Sequence, residues 1–306
     1  MNIRGYDIVG DIHGHADELE ALLQSMGYQQ QGAGYVHPSR ILIMVGDLID
    51  RGPKQKRVLE IAQGMVSHEN AIVLMGNHEF NAICYATVKE GDYVRAHSAS
   101  NANQHKAFLA EFPFQSTAYW NAIGFFKTLP LWFESEQFGV VHAYWDEESM
   151  DRLDPFLQED RSIKNFDLIS QYGDKASREY DSLELILKGP ELTLPVGISF
   201  IDKGGTVRTE VRVNWWKLAE KKSEHLAFDA SSFEPSKLDG LYIAAKEYSY
   251  KGRKVVFFGH YWQKNFDARS HVDKNLFCLD YSIAMGGQLV AARWNGPVDA
   301  IEWFAI

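Results

Sequence analysis

Seven residues, Gly46-Asp47-Leu48-Ile49-Asp50-Arg51-Gly52, place two carboxylates and a permanent cation between two glycines. An apolar run, Ile41-Leu42-Ile43-Met44-Val45, leads straight into them. Charges at the end of a buried strand are costly unless they are paired or hold a metal. Asp47 is therefore read as a ligand between two metal ions, with Arg51 holding a phosphate beside them. Further candidates stand in comparable places. Gly10-Asp11-Ile12-His13-Gly14 follows Tyr6-Asp7-Ile8-Val9, and Gly76-Asn77-His78-Glu79 follows Ala71-Ile72-Val73-Leu74-Met75. His142 ends Phe138-Gly139-Val140-Val141, and Gly259-His260 ends Lys254-Val255-Val256-Phe257-Phe258.

Carboxylate, imidazole and amide donors suit Mn, Fe, Zn or Co rather than Ca or a thiolate-bound structural zinc. Asp11, His13, Asp47, Asn77, His142 and His260 could build two adjoining sites if Asp47 bridges. Two ions about 3.5–4 Å apart can acidify a shared water and clamp phosphoryl oxygens for in-line attack. The leaving alkoxide then needs a proton. A histidine that is not a ligand can give it when a carboxylate fixes its tautomer, and His78 with Asp50 meets that description. The guanidinium fork of Arg51 matches phosphate oxygens.

The elements that must carry these residues read clearly in the first third. Strand, polar loop and helix follow one another three times. The helices run from His15 to Met26, closed by Gly27, then after Pro53 with Val58, Leu59, Ile61, Ala62 and Met65 on one face, and then beyond Asn77. Near-continuous apolar strands alternating with helices imply a mostly parallel sheet covered on both faces, with ligands at the carboxyl ends of the strands. Helices beside the sheet are expected across 91–135. Ile198–Asp202 and Thr206–Trp215 read as a hairpin around Lys203-Gly204-Gly205, in which Val207, Thr209, Val211, Val213 and Trp215 share a face. The segments 254–258, 275–279 and 288–294 read as antiparallel strands of a second sheet.

The formal charge of −10, from 41 acids and 31 bases, argues against nonspecific binding to nucleic acid or anionic membrane. Cys84 and Cys278 are expected to be buried small hydrophobes in a reducing compartment. No leader or membrane-spanning run is read, so a cytoplasmic location is expected. The acidic stretch from Asp146 to Asp160 reads as a solvated face, and Trp215, Trp216, Tyr261 and Trp262 as packing. His15, His37, His68, His97, His105, His225 and His271 read as surface or structural residues.

The motifs around Asp11, Asp47 and Asn77, with Val141-His142-Ala143 and Gly259-His260, resemble those of phosphoprotein phosphatases of the calcineurin-like metallophosphoesterase superfamily. The likeness is greatest to the bacterial branch, with its Ser/Thr and Tyr phosphatases and symmetrical diadenosine tetraphosphatases. The resemblance implies an α/β fold, a two-sheet sandwich flanked by helices. It also implies one metal on Asp11, His13 and Asp47 and another on Asp47, Asn77, His142 and His260. Mn²⁺ leads among the candidate ions, with Fe, Zn, Co or Ni as alternatives. The chain departs from the eukaryotic pattern in having Ala143-Tyr144 rather than Gly-Gly after His142. A second phosphate-binding arginine is not evident, and Arg208, Arg212 and Lys188 are the substitutes considered.

The expectation is one domain, 1–306, with 143–253 as a cap or insertion. The expected enzyme hydrolyses phosphomonoesters, a phosphoprotein foremost, by direct attack of metal-bound hydroxide. His78, Asp50 and Arg51 are the catalytic residues, and Arg51, Asn77, Arg208 and Arg212 bind substrate. The alternatives are a symmetrical bis(5'-nucleosyl)-tetraphosphatase, an RNA-end phosphatase, or a binding module that has lost catalysis.

Overall fold

Alternation along single strands builds this molecule, because neighbouring residues point to opposite faces and both faces are covered. The computed structural model describes residues 5–164, 168–169, 177–201, 207–218, 241–264, 266 and 275–306. His225, His271 and the expected turn at 203–205 lie outside the described residues.

The elements follow in order: β1 (Gly5–Val9), α1 (Ala16–Ser25), the hairpin β2 (Gln29–Gln31) and β3 (Gly34–Val36), β4 (Arg40–Met44), α2 (Gln55–Val66), β5 (Ala71–Val73) and α3 (Asn77–Ala86). A small hairpin, β6 (Val88–Lys89) and β7 (Asp92–Tyr93), precedes α4 (Ala99–Gln104), α5 (Lys106–Glu111) and α6 (Thr117–Phe126). Then come β8 (Trp132–Glu134), β9 (Phe138–Val141), α7 (Glu147–Leu153) and a helix over Arg178–Lys188. The strands β10 (Glu191–Thr193), β11 (Phe200–Ile201), β12 (Val207–Arg208) and β13 (Glu210–Arg212) follow. The last part holds β14 (Val255–Phe258), β15 (Leu276–Cys278), β16 (Asp280–Tyr281), β17 (Gln288–Trp294) and β18 (Glu302–Ala305).

One sheet runs β16-β17-β1-β4-β5, with β18 on β17, and the other runs β15-β14-β9-β8. Ile8, Ile43, Val45, Phe138, Val140, Val255, Phe257 and Val290 form the core between the sheets. Their neighbours Val9, Leu42, Met44, Val141, Val256 and Phe258 face outward and pack under the helices. β1, β4 and β5 are parallel, as read. Helix α2 starts at Gln55, so Pro53 lies before its N-cap, Lys54, rather than in its first turn.

Two readings of the chain are corrected. The late strands do not form an antiparallel sheet of their own. β14 is parallel to both β9 and β15, and β17 crosses into the first sheet antiparallel to β1. The stretch 259–275 between β14 and β15 is long enough for a crossover, and β14 is buried on both faces, as parallel strands are. The hairpin also divides. β11 pairs with β12, but β13 pairs with β10 after a bend at Thr209. Val211, Val213 and Trp215 are therefore buried while Val207 is exposed. Among the described residues, no helix is long and apolar enough to cross a membrane.

A buried ion cluster fixes the central strands. Asp7 on β1 accepts from Arg40 Nε at 2.6 Å, from Arg293 Nε and Nη2 at 3.0 Å and from Tyr28 Oη at 3.1 Å. Arg40 also donates to the carbonyls of Tyr6 and Trp294. One carboxylate thus links β1 to its two neighbours, β4 and β17. Asp7→Ala leaves two largely buried guanidiniums without their counter-charge, and it is expected to cost about 3–5 kcal/mol. A urea titration measures this, and an unchanged midpoint contradicts it.

Candidate metal centre

Among the described residues, the loops after β1, β4 and β14 hold five non-glycine residues in the left-handed region: His13, Asp47, Asp50, Arg51 and His260, with φ from +46° to +73°. Such residues are uncommon, and each is held against about 1–3 kcal/mol of strain. The loops restrain one another. Ile12 and His13 donate to the Asp47 carbonyl at 3.1 and 2.8 Å, and Gly14 donates to Leu48 at 2.8 Å. Glu79, in the first turn of α3, accepts from the main-chain N–H groups of Gly76, Asp47, Leu48 and Ile49 at 3.0, 2.9, 2.8 and 3.3 Å. Gly76 permits this closeness, since a Cβ there would lie 2.2 Å from Asp47 Oδ1.

Asp47 stands at the middle of the donors. His13 Nε2 is 3.6 Å and His78 Nε2 3.9 Å from its Oδ2, and His142 Nε2 is 3.5 Å from its Oδ1. Two groups of ligand-type atoms, each within 4.8 Å, share this carboxylate: His13–Asp47–His78 and Asp47–His142–His260. Asn77 Oδ1 joins the second, 3.1 Å from His142 Nε2 and 2.9 Å from His260 Nδ1. Asp11 is buried beside them but belongs to neither group. Its carboxylate accepts the His260 N–H at 3.2 and 3.1 Å. His78 Nδ1 lies 2.6 Å from Asp50 Oδ2.

The donors fit divalent cations. His13 Nδ1 faces the Ile49 carbonyl at 2.9 Å and His142 Nδ1 the Val45 carbonyl at 3.0 Å. A carbonyl only accepts, so each Nδ1 carries the proton and each neutral ring turns the lone pair of Nε2 inward. Burial keeps both rings neutral, taking His13 down to about 4 and His142 below its ordinary value. His142 Nε2 and Asn77 Oδ1 then confront each other as two acceptors, a repulsion that a shared cation would turn to attraction.

The acids carry the same signature. Burial and the charges of Asp280 and Asp47 push Asp11 well above the carboxylate range. Burial and Asp47 push Glu79 up to about 8, and burial takes Asp280 to about 7. Burial would raise Asp47 as well, but His142, His78 and His13 hold it below its usual value.

The remaining candidates separate by position. Arg51 is exposed, and its charge reaches His13, His78 and Asp280. Arg212, paired with Glu191 at 3.4 Å, is felt at His142, His260 and Asp280, whereas Arg208 is exposed on β12. Lys188 pairs with Glu184 at 2.5 Å. Three residues of this region were given no role from sequence: Glu79, Asp280 and His105. Glu79 had a signal, since it stands three residues after the Gly76 cap. Asp280 ends an apolar strand, as Asp11 and Asp47 do. His105, read as structural, is buried against Asp50.

The family described as Calcineurin-like phosphoesterase matches residues 6–261. The asymmetrical bis(5'-nucleosyl)-tetraphosphatase PrpE of Halalkalibacterium halodurans is 43% identical over 74 residues, 24% of this chain and 30% of that protein. PrpE of Bacillus subtilis (strain 168) is 42% identical over 74 residues, with the same coverage. The match therefore spans under a third of the length of these curated relatives. A protein serine/threonine phosphatase from Saccharomyces cerevisiae, with similarity to human phosphatase PP5, shares the fold. It aligns over 99% of this chain and 80% of its own with a TM-score of 0.52, at 16% identity.

Glu79→Ala leaves four buried N–H groups without an acceptor. It is expected to cost about 3 kcal/mol or more in urea unfolding, with Glu79→Gln, which keeps an acceptor oxygen, losing clearly less. A fully stable alanine variant would show that the loops do not rely on this carboxylate.

Proposed function

The chain belongs to the calcineurin-like phosphoesterase family, whose members use divalent metals; from that footing we propose that it is a metal-dependent hydrolase of phosphomonoesters, with a phosphoprotein as the leading substrate class. The observation that supports this best is the Asp47 carboxylate, one oxygen toward His13 and His78 and the other toward His142. In this reading Asp11, His13 and Asp47 hold one divalent ion, and Asp47, Asn77, His142 and His260 hold the other. Mn²⁺ is foremost, with Fe, Zn, Co or Ni as alternatives. Bound there, the ions supply positive charge for phosphoryl oxygens and acidify water.

The protein's own groups do the rest. Arg51, exposed and in reach of the centre, clamps phosphoryl oxygens. Arg212 is the second cation of choice, since its charge is felt at His142 and His260; Arg208 would act only from the outer strand. His78, held by Asp50, donates a proton to the leaving alkoxide. Burial lowers its affinity for protons, but Asp47 and Asp50 more than restore it, so that His78 lies above its ordinary value. Residues 143–253 act as a cap that selects the substrate. Free, buried Cys84 and Cys278 accord with a cytoplasmic setting.

A second reading, hydrolysis of a dinucleoside tetraphosphate, is favoured by the names of the PrpE relatives. A phosphopeptide and diadenosine tetraphosphate, offered side by side to the Mn²⁺-loaded protein, separate the two. Turnover of the dinucleotide without release of phosphate from the peptide would overturn the first reading. ADP as sole product would mark symmetrical cleavage, and ATP with AMP asymmetrical cleavage.

Two substitutions test the roles. His78→Ala is expected to keep both metals and to slow turnover of a poor-leaving-group ester by about 10²–10⁴; an unchanged rate refutes the donor role. Asp47→Asn is expected to lose metal together with activity, and two tightly bound ions per chain by elemental analysis would contradict its bridging position.

A further inference from the structure

Asp50 has two imidazole partners, and the proton-donor role of His78 involves one of them. His105 Nδ1 lies 3.0 Å from Asp50 Oδ1 and 3.2 Å from Oδ2, on the same carboxylate whose Oδ2 meets His78 Nδ1. Burial would raise Asp50, but hydrogen bonds from His105 and His78 hold it below the carboxylate range. An ionised carboxylate only accepts, so both Nδ1 atoms carry protons toward it. The Asp50 N–H is held too, donating to Gln55 Oε1 at 2.7 Å.

His105 is itself fixed. It joins α4 to α5 and is buried, its ring stacked on Phe108 at 4.8 Å between centroids and tilted against Tyr85 at 5.5 Å. Helix α5 returns to the same loop, where Glu111 accepts the N–H groups of Gln55 and Lys56 at 2.7 and 2.9 Å. Gln55 and His105 therefore grip the backbone and the carboxylate of one residue from a common support.

We infer that His105 is a positioning residue of this phosphoesterase: by engaging Oδ1 it fixes the rotation of the Asp50 carboxylate and so aims Oδ2 at His78. The inference rests on the reading of His78 as donor to the leaving group. A carboxylate with one partner can swing about its last bond; a second donor on the other oxygen removes that freedom. Ordering of this kind is worth about 10- to 100-fold at supported sites.

His105→Phe keeps the ring stacking and removes the donor, while His105→Asn keeps a donor near the Nδ1 position. In the Mn²⁺-loaded full chain, kcat on phenyl phosphate is expected to fall about 10- to 100-fold in His105→Phe. On p-nitrophenyl phosphate, whose leaving group needs no proton, it is expected to fall less than about 3-fold. KM and bound metal stay unchanged, and His105→Asn recovers most of the loss. In metal-free protein, the slowly exchanging downfield imidazole N–H signals in proton NMR should include one from His78 and one from His105, and the His105 signal alone should be lost in His105→Phe. Equal losses on the two esters, or full activity on phenyl phosphate, would overturn the inference. Should His105→Phe fold poorly, His105→Leu serves the same comparison. If His78→Ala fails to discriminate between the esters, the donor reading fails; if only His78→Ala discriminates, the donor reading stands and His105 has no such role.

Discussion

Four main-chain N–H groups from the ends of two strands converge on the carboxylate of Glu79, and the geometry of the centre follows from that convergence. Glu79 sits in the first turn of α3, where orphan N–H groups and the helix dipole already favour negative charge. It reaches back across the sheet edge to the loop after β4 and holds Asp47 in its left-handed conformation. Asp47 answers from the other side, its Oδ1 accepting the N–H of His78 at 3.0 Å. Each acid thus fixes the element that carries the other. A side chain of other length at position 79 would leave the loop's buried N–H groups unpaired.

That rigidity restrains a region in mutual repulsion. Asp11, Asp47, Glu79 and Asp280 are all buried at one edge, and three of them are pushed toward protonation. Two imidazoles are anchored by carbonyls so that lone pairs face inward. Strained backbone, crowded acids and confronted acceptors each work against folding, and such features persist where the surrounding structure over-determines them. Here the sandwich core and the Asp7 cluster supply that support, about one strand length away. Cations at the centre would relieve the acids and the acceptors together, which is why the donor set fits metal better than a hydrogen-bonded core.

Much of this was legible in the chain. Ile41 to Val45 and Ala71 to Met75 are apolar on both faces and stop at polar loops, so strand, edge and ligand positions could be read from local pattern alone. The topology of the later strands could not. Val255 to Phe258 is apolar throughout, a local sign of a parallel strand that the short alternating segments after it outweighed, and nothing local names its partners; Phe138–Val141 and Leu276–Cys278 are chosen by packing. His105 was illegible for a related reason. It follows a polar helix 55 residues from Asp50, and tertiary packing on Phe108 and Tyr85 brings its ring to the carboxylate.

The division between chemistry and selection follows the same line. The proposed ligands stand at the ends of β-strands buried on both faces, so in that reading the strand edge sets the phosphoryl chemistry and nothing about the group that leaves. Selection would then fall to the proposed cap between β9 and β14. Among the described residues of that interval, Arg212, on β13 and paired with Glu191, makes protonation of His142 and His260 less favourable, and Lys188 adds to the effect at His260. A fixed cation near the proposed centre favours a substrate with more than one negative charge, because the attraction grows with the charge. Phosphomonoester dianions and polyphosphate chains both satisfy it. They differ in how far their charge extends from the reacting phosphorus, and the proposed cap of residues 143–253 must distinguish them by reach rather than by sign.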